Sequence, residues 1–341
     1  MPLTLEVREL RLPLRHPFTI AHGTTTLQRN LLVSLGDGRH VGYGETASSR
    51  AHAAFTVEAM QEALEKARPI VESTPLTEPA AYWQAIQPAL ADNPFALCAV
   101  DEAAHDLWGR RLGQPVWRLW GLELKSLPVS NYTIGIAPIA EMVAKMREFD
   151  GWPIYKIKLG TDHDLDIVRE LRRHTDAVFR IDANTAWTVE QTVSIAPELA
   201  TLGVEFIEQP LPRDDWEGMA RLAAARCPLP LMADESCRTE ADVARCAESF
   251  DAINIKLTKA GGLTPARRMI AQARQLGLKV MVGCMNESSV GISAIGQLLP
   301  LLDYVDMDGS VLIAEDIADG VHLERGVPVF PDTPGNGITL R

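Results

Sequence analysis

A set of charged residues follows short apolar runs along this chain, each in a setting where a buried strand would end. Successive segments read Tyr155-Lys156-Ile157-Lys158-Leu159, Arg180-Ile181-Asp182-Ala183-Asn184, Phe206-Ile207-Glu208-Gln209-Pro210 and Met232-Ala233-Asp234-Glu235-Ser236. Two more read Asn254-Ile255-Lys256-Leu257 and Asp306-Met307-Asp308-Gly309. Asp182, Glu208 and Asp234 come from three consecutive runs, so neighbouring strands would bring them together. Carboxylates that close repel strongly unless a cation lies between them. Ligation by carboxylate oxygens alone, with room for water and substrate, suits Mg²⁺, and Mn²⁺ would satisfy the same ligands. The two-residue period of a strand puts Lys156 and Lys158 on one face, and likewise Asp306 and Asp308.

If the runs form a ring of eight strands, the second and sixth are opposite, and Lys158 and Lys256 face each other across its mouth. The metal would polarise a substrate carboxylate and make it a better sink for the charge left when the adjacent C–H proton departs. One lysine would take that proton and the other return one to the opposite face, inverting the carbon through an enediolate. A lysine base must be partly neutral, and Lys156 is a like-charge neighbour that would lower the proton affinity of Lys158. Asp306 and Asp308 supply acceptors for a cation some distance from the metal. A zwitterion of dipeptide length would satisfy both poles.

These residues need a scaffold, and the spacing supplies one. Eight β-branched apolar runs occur at Val129–Ile134, Ile154–Leu159, Val178–Ile181, Val204–Ile207, Leu229–Ala233, Ala252–Leu257, Leu278–Val282 and Leu302–Met307. Lys158, Asp182, Glu208, Asp234, Lys256, Gly283 and Asp308, near the ends of runs two to eight, are separated by 24, 26, 26, 22, 27 and 25 residues. That interval fits a strand, a loop and a crossover helix. Such apolar runs suit strands buried on both faces. Eight consecutive units favour a closed barrel over an open sheet, and the lack of a Gly-rich turn after an early strand weighs against dinucleotide binding. The catalytic barrel is predicted over residues 126–313. Residues 1–125 read as a small α+β domain, with strand-like Leu3–Leu12 and Asn30–Leu35 and a helix at Pro94–Leu112. The tail, about 314–341, carries short extended pieces that would complete that first domain.

Composition narrows the class. With 46% apolar and 23% charged residues among 341, a substantial core is expected. A net charge of −12 without a basic stripe argues against nucleic acid or an anionic membrane as partner. The first residues lack a signal-peptide layout, and no stretch reaches a membrane span. Five scattered cysteines, Cys98, Cys227, Cys237, Cys246 and Cys284, read as free thiols of a reducing compartment, so the cytoplasm is expected. A small-molecule substrate is the expected partner. Oligomeric state is left open, a symmetric homo-oligomer being common for barrels.

Taken in order, these motifs resemble the enolase superfamily, specifically its muconate-lactonizing branch. The likeness covers nearly the whole chain and includes Leu107–Gly121, Lys156/Lys158, Asp182-Ala-Asn, Glu208-Gln-Pro, Asp234-Glu-Ser and Lys256 to Gly262. It implies an α+β capping domain joined to a (β/α)7β TIM-like barrel, and an isomerase. Asp306-Met-Asp308 is similar to the element with which dipeptide epimerases hold the substrate ammonium. The resemblance further implies that Thr133 touches substrate, that Lys156 lies beside its carboxylate, and that Cys284 and Met285 line the pocket. It implies epimerisation of an L,L-dipeptide to the L,D form at its C-terminal residue. The lid loop Phe18–Thr26 holds His22 but no Lys or Arg, so a neutral or hydrophobic second residue is expected rather than glutamate.

Three related activities use similar parts: N-acylamino acid racemisation, o-succinylbenzoate synthesis and muconate cycloisomerisation. None needs a cation site, which Asp306 and Asp308 provide. A catalytically silent barrel binding a small zwitterion is the non-enzymatic alternative, against which two opposed lysines argue. Glu235 and Asn184 are read as supporting residues, Lys259 as a loop or packing residue, and Asp162-His163-Asp164 as a helix cap.

Overall fold

The computed structural model describes residues 2–49 and 52–341. An antiparallel sheet comes first, β1 (Thr4–Ile20), β2 (Gly23–Gly36) and β3 (Val41–Ala47), in that order. Strand β3 is absent from the sequence reading, and the reason is steric. Its Gly42 and Gly44 lie so close to helix Pro94–Leu112 that a Cβ would come within 2.3 Å of Ala103 O and 2.1 Å of Ala99 O respectively. The contact that requires the strand also removes its β-branched signature. The segment Phe18–Thr26, expected as a loop, is instead the end of the β1–β2 hairpin, with Phe18 opposite Thr25 and Ile20 opposite Gly23.

Three helices back this sheet: α1 (Val57–Ser73), α2 (Pro79–Ile86) and α3 (Pro94–Leu112). The boundaries of α3 follow from local chemistry. The side chain of Asn93 accepts Ala96 N–H, Pro94 occupies the first turn, and Gly113 closes the helix at φ 64°.

The eight anticipated runs form eight parallel strands: β4 (Tyr132–Ile134), β5 (Ile154–Lys158), β6 (Val178–Asp182), β7 (Val204–Glu208), β8 (Leu231–Ala233), β9 (Ala252–Lys256), β10 (Lys279–Gly283) and β11 (Tyr304–Asp306). They are hydrogen-bonded in sequence order, and a parallel bridge between Ser130 and Val305 joins the two ends into a barrel. Alternation divides each strand between two environments. Ile157, Ile181, Ile207, Ile253 and Ile255 pack outward in the main core with the surrounding helices. Phe206, Met232, Ala252 and Met281 turn inward and fill the barrel floor, where the Arg180 guanidinium stands over the Phe206 and Tyr304 rings. Further along the same inward rows come the charged groups, Glu208 two residues after Phe206, Asp234 two after Met232 and Lys256 four after Ala252.

The tail returns to the antiparallel sheet: Ala314 N–H donates to Pro13 O at 2.7 Å, and Ile338 is buried with Leu10, Leu12 and Leu32. Among the described residues no helix is long and apolar enough to cross a membrane. All five cysteines are free.

Because the β3–α3 approach leaves no room for a methyl group, Gly44→Ala should lower the thermal unfolding midpoint by several degrees, an overpacking cost of about 1–3 kcal/mol. Calorimetry on the purified variant checks this, and an unchanged midpoint would refute the close approach.

Candidate active site

Strand register sets the arrangement at the mouth of the barrel. Lys158, Asp182 and Glu208 occupy matching positions on β5, β6 and β7, and Asp234 follows the last residue of β8. One carboxylate oxygen from each of Asp182, Glu208 and Asp234 lies within 4.8 Å of the others, with all three side chains buried. The loop after β7 is fixed by Gln209, whose left-handed backbone (φ 37°) aims its side-chain oxygen at the N–H groups of Asp234 and Ser236, at 3.0 and 3.1 Å. Asn254 donates to Glu208 Oε1 at 2.8 Å.

Four ammonium groups surround these acids. Lys158 Nζ is 2.5 Å from Asp182 and Lys256 Nζ 2.8 Å from Asp234. Lys156 Nζ reaches Asp182, Glu208 and Asp306 at 3.0, 2.7 and 2.8 Å. Burial opposes its charge, yet these carboxylates outweigh burial and hold the ammonium well above the ordinary lysine range. Lys156 is therefore a compensated charge shared among acids, not the free like charge expected to press on Lys158. The same contacts place Asp306 one ammonium away from the acidic trio, closer than the remote cation site expected. Lys259 corrects a second expectation. Its Nζ is buried against Asp234 Oδ1 and the carbonyl of Cys237, at 2.5 and 3.0 Å, so it is an ion partner of the trio. The signal was its spacing of three from Lys256, which a single helical turn, Leu257–Ala260, folds back onto Asp234.

The trio fits a hard divalent cation on two counts. Its ligands are all oxygen, and two acceptors around it lack a hydrogen bond. Asn184 Oδ1 and Glu235 Oε2, beside the trio, are buried without a donor, while Glu208 Oε2 and Asp234 Oδ2 are matched by the Lys156 and Lys256 ammonium groups at 2.7 and 2.8 Å. Glu235 is pushed up to about 8 by burial and by its neighbours Asp234 and Asp182. Buried acceptors left this way are costly unless a cation satisfies them.

A cavity of about 460 Å³ opens above these groups, lined by Lys156, Lys158, Lys256, Asp306 and Asp308 together with Thr133, Cys284 and Met285. Every residue singled out as catalytic or substrate-binding in the sequence thus reaches it. Asp308 lies beyond the end of β11, so its approach comes from the following turn and not from strand alternation. Its Oδ2 accepts Thr133 N–H at 2.5 Å. Burial, then the charge of Asp306, pushes Asp308 up to about 7. The hairpin contributes Phe18, Ile20, Thr25 and Leu27 to the wall, and Thr19 O holds it to the barrel by accepting Ile136 N–H at 2.8 Å. His22 is exposed and outside the lining. Arg29 and His52, which were not singled out, do line the cavity. The Arg29 guanidinium is engaged by Glu9 and Glu58 at 2.8 and 2.7 Å. Burial, then the ammonium groups of Lys259 and Lys256, push His52 down to about 4.

Comparison with known proteins places the chain among relatives. Residues 138–341 match the family described as enolase C-terminal domain-like, and residues 3–121 match the mandelate racemase / muconate lactonizing enzyme N-terminal domain. The chain is 52% identical over 339 residues to an L-Ala-D/L-amino acid epimerase of Maribacter sp., covering 99% of each. It is 50% identical over 338 residues to a protein of the same name from Flavobacterium johnsoniae, covering 99% of this chain and 100% of the other. Among solved structures, a dipeptide epimerase from Cytophaga hutchinsonii, complexed with Mg and D-Ala-L-Val, superimposes with a TM-score of 0.93 at 26% identity, covering 100% and 96% of the two chains.

Removing one partner of a buried ion pair leaves an uncompensated charge. Lys259→Met should therefore destabilise the metal-free protein by on the order of 3 kcal/mol, since Lys256 still faces Asp234. Added Mg²⁺ should raise the midpoint of the variant more than that of the wild type, because the cation supplies the missing charge. Equal Mg²⁺ shifts in thermal melts would count against a shared electrostatic site.

Proposed function

We propose a specific reaction for this chain, which belongs to the mandelate racemase/muconate lactonizing enzyme family of the enolase superfamily and to its dipeptide-epimerase group: epimerisation of an L,L-dipeptide to the L,D form at its C-terminal residue. The chain is an isomerase and its metal is Mg²⁺. The observation that carries the reading is positional. Lys158 and Lys256 stand on β5 and β9, four strands apart in a ring of eight, and line one cavity with the acidic trio between them.

Asp182, Glu208 and Asp234 would hold the Mg²⁺, which when bound supplies electrophilic polarisation of the substrate carboxylate. The protein's own residues account for the remaining work. Lys156 sets a fixed positive charge beside that carboxylate. Asp306, one ammonium away from the trio, and Asp308 beside it accept the substrate ammonium, and the backbone N–H of Thr133 holds Asp308 in place. A neutral amine on one side takes the proton from the Cα of the second residue. The ammonium on the other side delivers one to the opposite face, so the configuration inverts while protons balance. A substrate with an acylated nitrogen, or a dicarboxylate, would leave Asp306 and Asp308 without a cation to receive, which disfavours racemase and cycloisomerase readings of this site.

For the second side chain we favour a neutral or hydrophobic group. The hairpin wall is Phe18, Ile20, Thr25 and Leu27, and Arg29 beyond it is engaged by two carboxylates. A glutamate there would lose water without gaining a free cation.

In heavy water with Mg²⁺ and an L,L-dipeptide, the wild type should incorporate one deuterium and generate the L,D epimer. Lys256→Met should lower epimerisation by at least about 10³-fold while retaining exchange from one face through Lys158. Equal retention of both activities would defeat the two-base scheme. Across a panel of L-Ala-L-Xaa dipeptides, neutral Xaa should exceed glutamate in kcat/KM by about tenfold or more, and a clear preference for glutamate would overturn the specificity argument.

A further inference from the structure

We propose that Glu45, in the antiparallel sheet and outside the cavity, is a positioning residue that sets the Cys284–Asn286 wall of the substrate cavity. The inference rests on the dipeptide reading for its kinetic consequence, but its geometry stands alone. Strand β10 ends at Gly283, and Cys284, Met285 and Asn286 then line the cavity before a helix, Ser289–Gly296, begins. A helix start leaves its first N–H groups without partners, and a nearby Ser, Thr or Asp normally supplies acceptors. Ser288 does so for Val290.

The other acceptor comes from far along the chain. The Glu45 carboxylate accepts Ser288 N–H at 3.1 Å and Gly291 N–H at 3.2 Å, as well as the Ser288 hydroxyl. Glu45 is fully buried, and negative charge is favoured at a helix N-terminus. Its Oε1 also accepts from Asn30 Nδ2 at 2.7 Å. That same Asn30 amide donates to Asn286 O at 2.9 Å, while Asn30 Oδ1 receives Gln28 Nε2 at 2.8 Å. Glu45 is itself held by α3, its N–H donating to Glu102 Oε2 at 3.0 Å.

The loop that forms the wall is thus tied at its C-terminal end to two strands of the antiparallel sheet. Its Asn286 carbonyl is tied to β2, and the helix start that follows it is tied to β3. A local cap would satisfy the helix equally well but would leave Cys284 and Met285 free to shift with the barrel. The remote cap instead ties that wall to the antiparallel sheet, whose strand β2 also brings Gln28 and Arg29 to the cavity. The acidic trio belongs to β6, β7 and the end of β8, and the Glu45 network does not touch it.

The test uses the full-length protein with Glu45→Ala and Asn30→Ala, the second removing the tie at Asn286 while leaving the helix cap. Both should raise KM for the best dipeptide by about tenfold, change kcat less than about threefold, and leave the Mg²⁺-induced rise in unfolding midpoint as in the wild type. Glu45→Gln, which keeps one acceptor oxygen, should restore part of the KM. Alkylation of Cys284 by iodoacetamide, followed by peptide mass, gives a readout independent of any dipeptide. Its rate should rise several-fold in both alanine variants. If either folds and keeps wild-type KM and Cys284 reactivity, losing only thermal stability, Glu45 is structural and the proposal falls. If no dipeptide is turned over by the wild type, the functional reading fails, while the alkylation rates still decide the wall.

Discussion

Crowding of like charge is the constraint on which this structure turns. Three carboxylates have oxygens within 4.8 Å of one another in a buried setting, where their repulsion is poorly screened. Four lysines answer that charge from three places: Lys156 and Lys158 from β5, Lys256 from the end of β9, and Lys259 from the helical turn after it. The barrel makes this possible because parallel strands in register deliver side chains to the same height around a ring. A shift of one residue in any strand would turn its charged group outward into the helices and leave the remaining charges unbalanced.

That economy gives individual residues more than one function. Lys156 neutralises the trio, touches Asp306 and lines the cavity, so it links the metal side of the site to the side proposed for the ammonium. Asp234 faces two lysines, one of which lines the cavity while the other is sealed beneath it. A proposed ligand held between two ammonium groups has little freedom to move, which suits a site whose geometry must be set before substrate arrives.

The cavity is built from two bodies of structure with different duties. The barrel contributes charge, and the antiparallel sheet contributes shape. Phe18, Ile20, Thr25 and Leu27 line the cavity, and Glu45 and Asn30 hold the Cys284–Asn286 wall. In the proposed reaction specificity and chemistry sit on different elements, so hairpin residues can vary while the trio and the lysines stay in place. Relatives with one architecture but names referring to different dipeptides fit that division.

Much of this was determined by the sequence alone. The eight apolar runs appear as β4 to β11, and Lys158, Asp182, Glu208, Asp234 and Lys256 could be read as neighbours because strand period and repeat length are local properties. What the tertiary structure decided is everything that depends on contacts between distant segments. Strand β3 was concealed by Gly42 and Gly44, whose meaning lies in their approach to α3. Lys259 looked like packing until a helical turn aimed it at Asp234, and Lys156 looked like a free charge until Asp306 arrived from 150 residues away. Glu45 carried no signal at all, since its partners at Ser288 and Gly291 lie more than 240 residues along the chain. Periodicity reports which face a residue occupies, but the partner across that face is set only when the chain closes on itself.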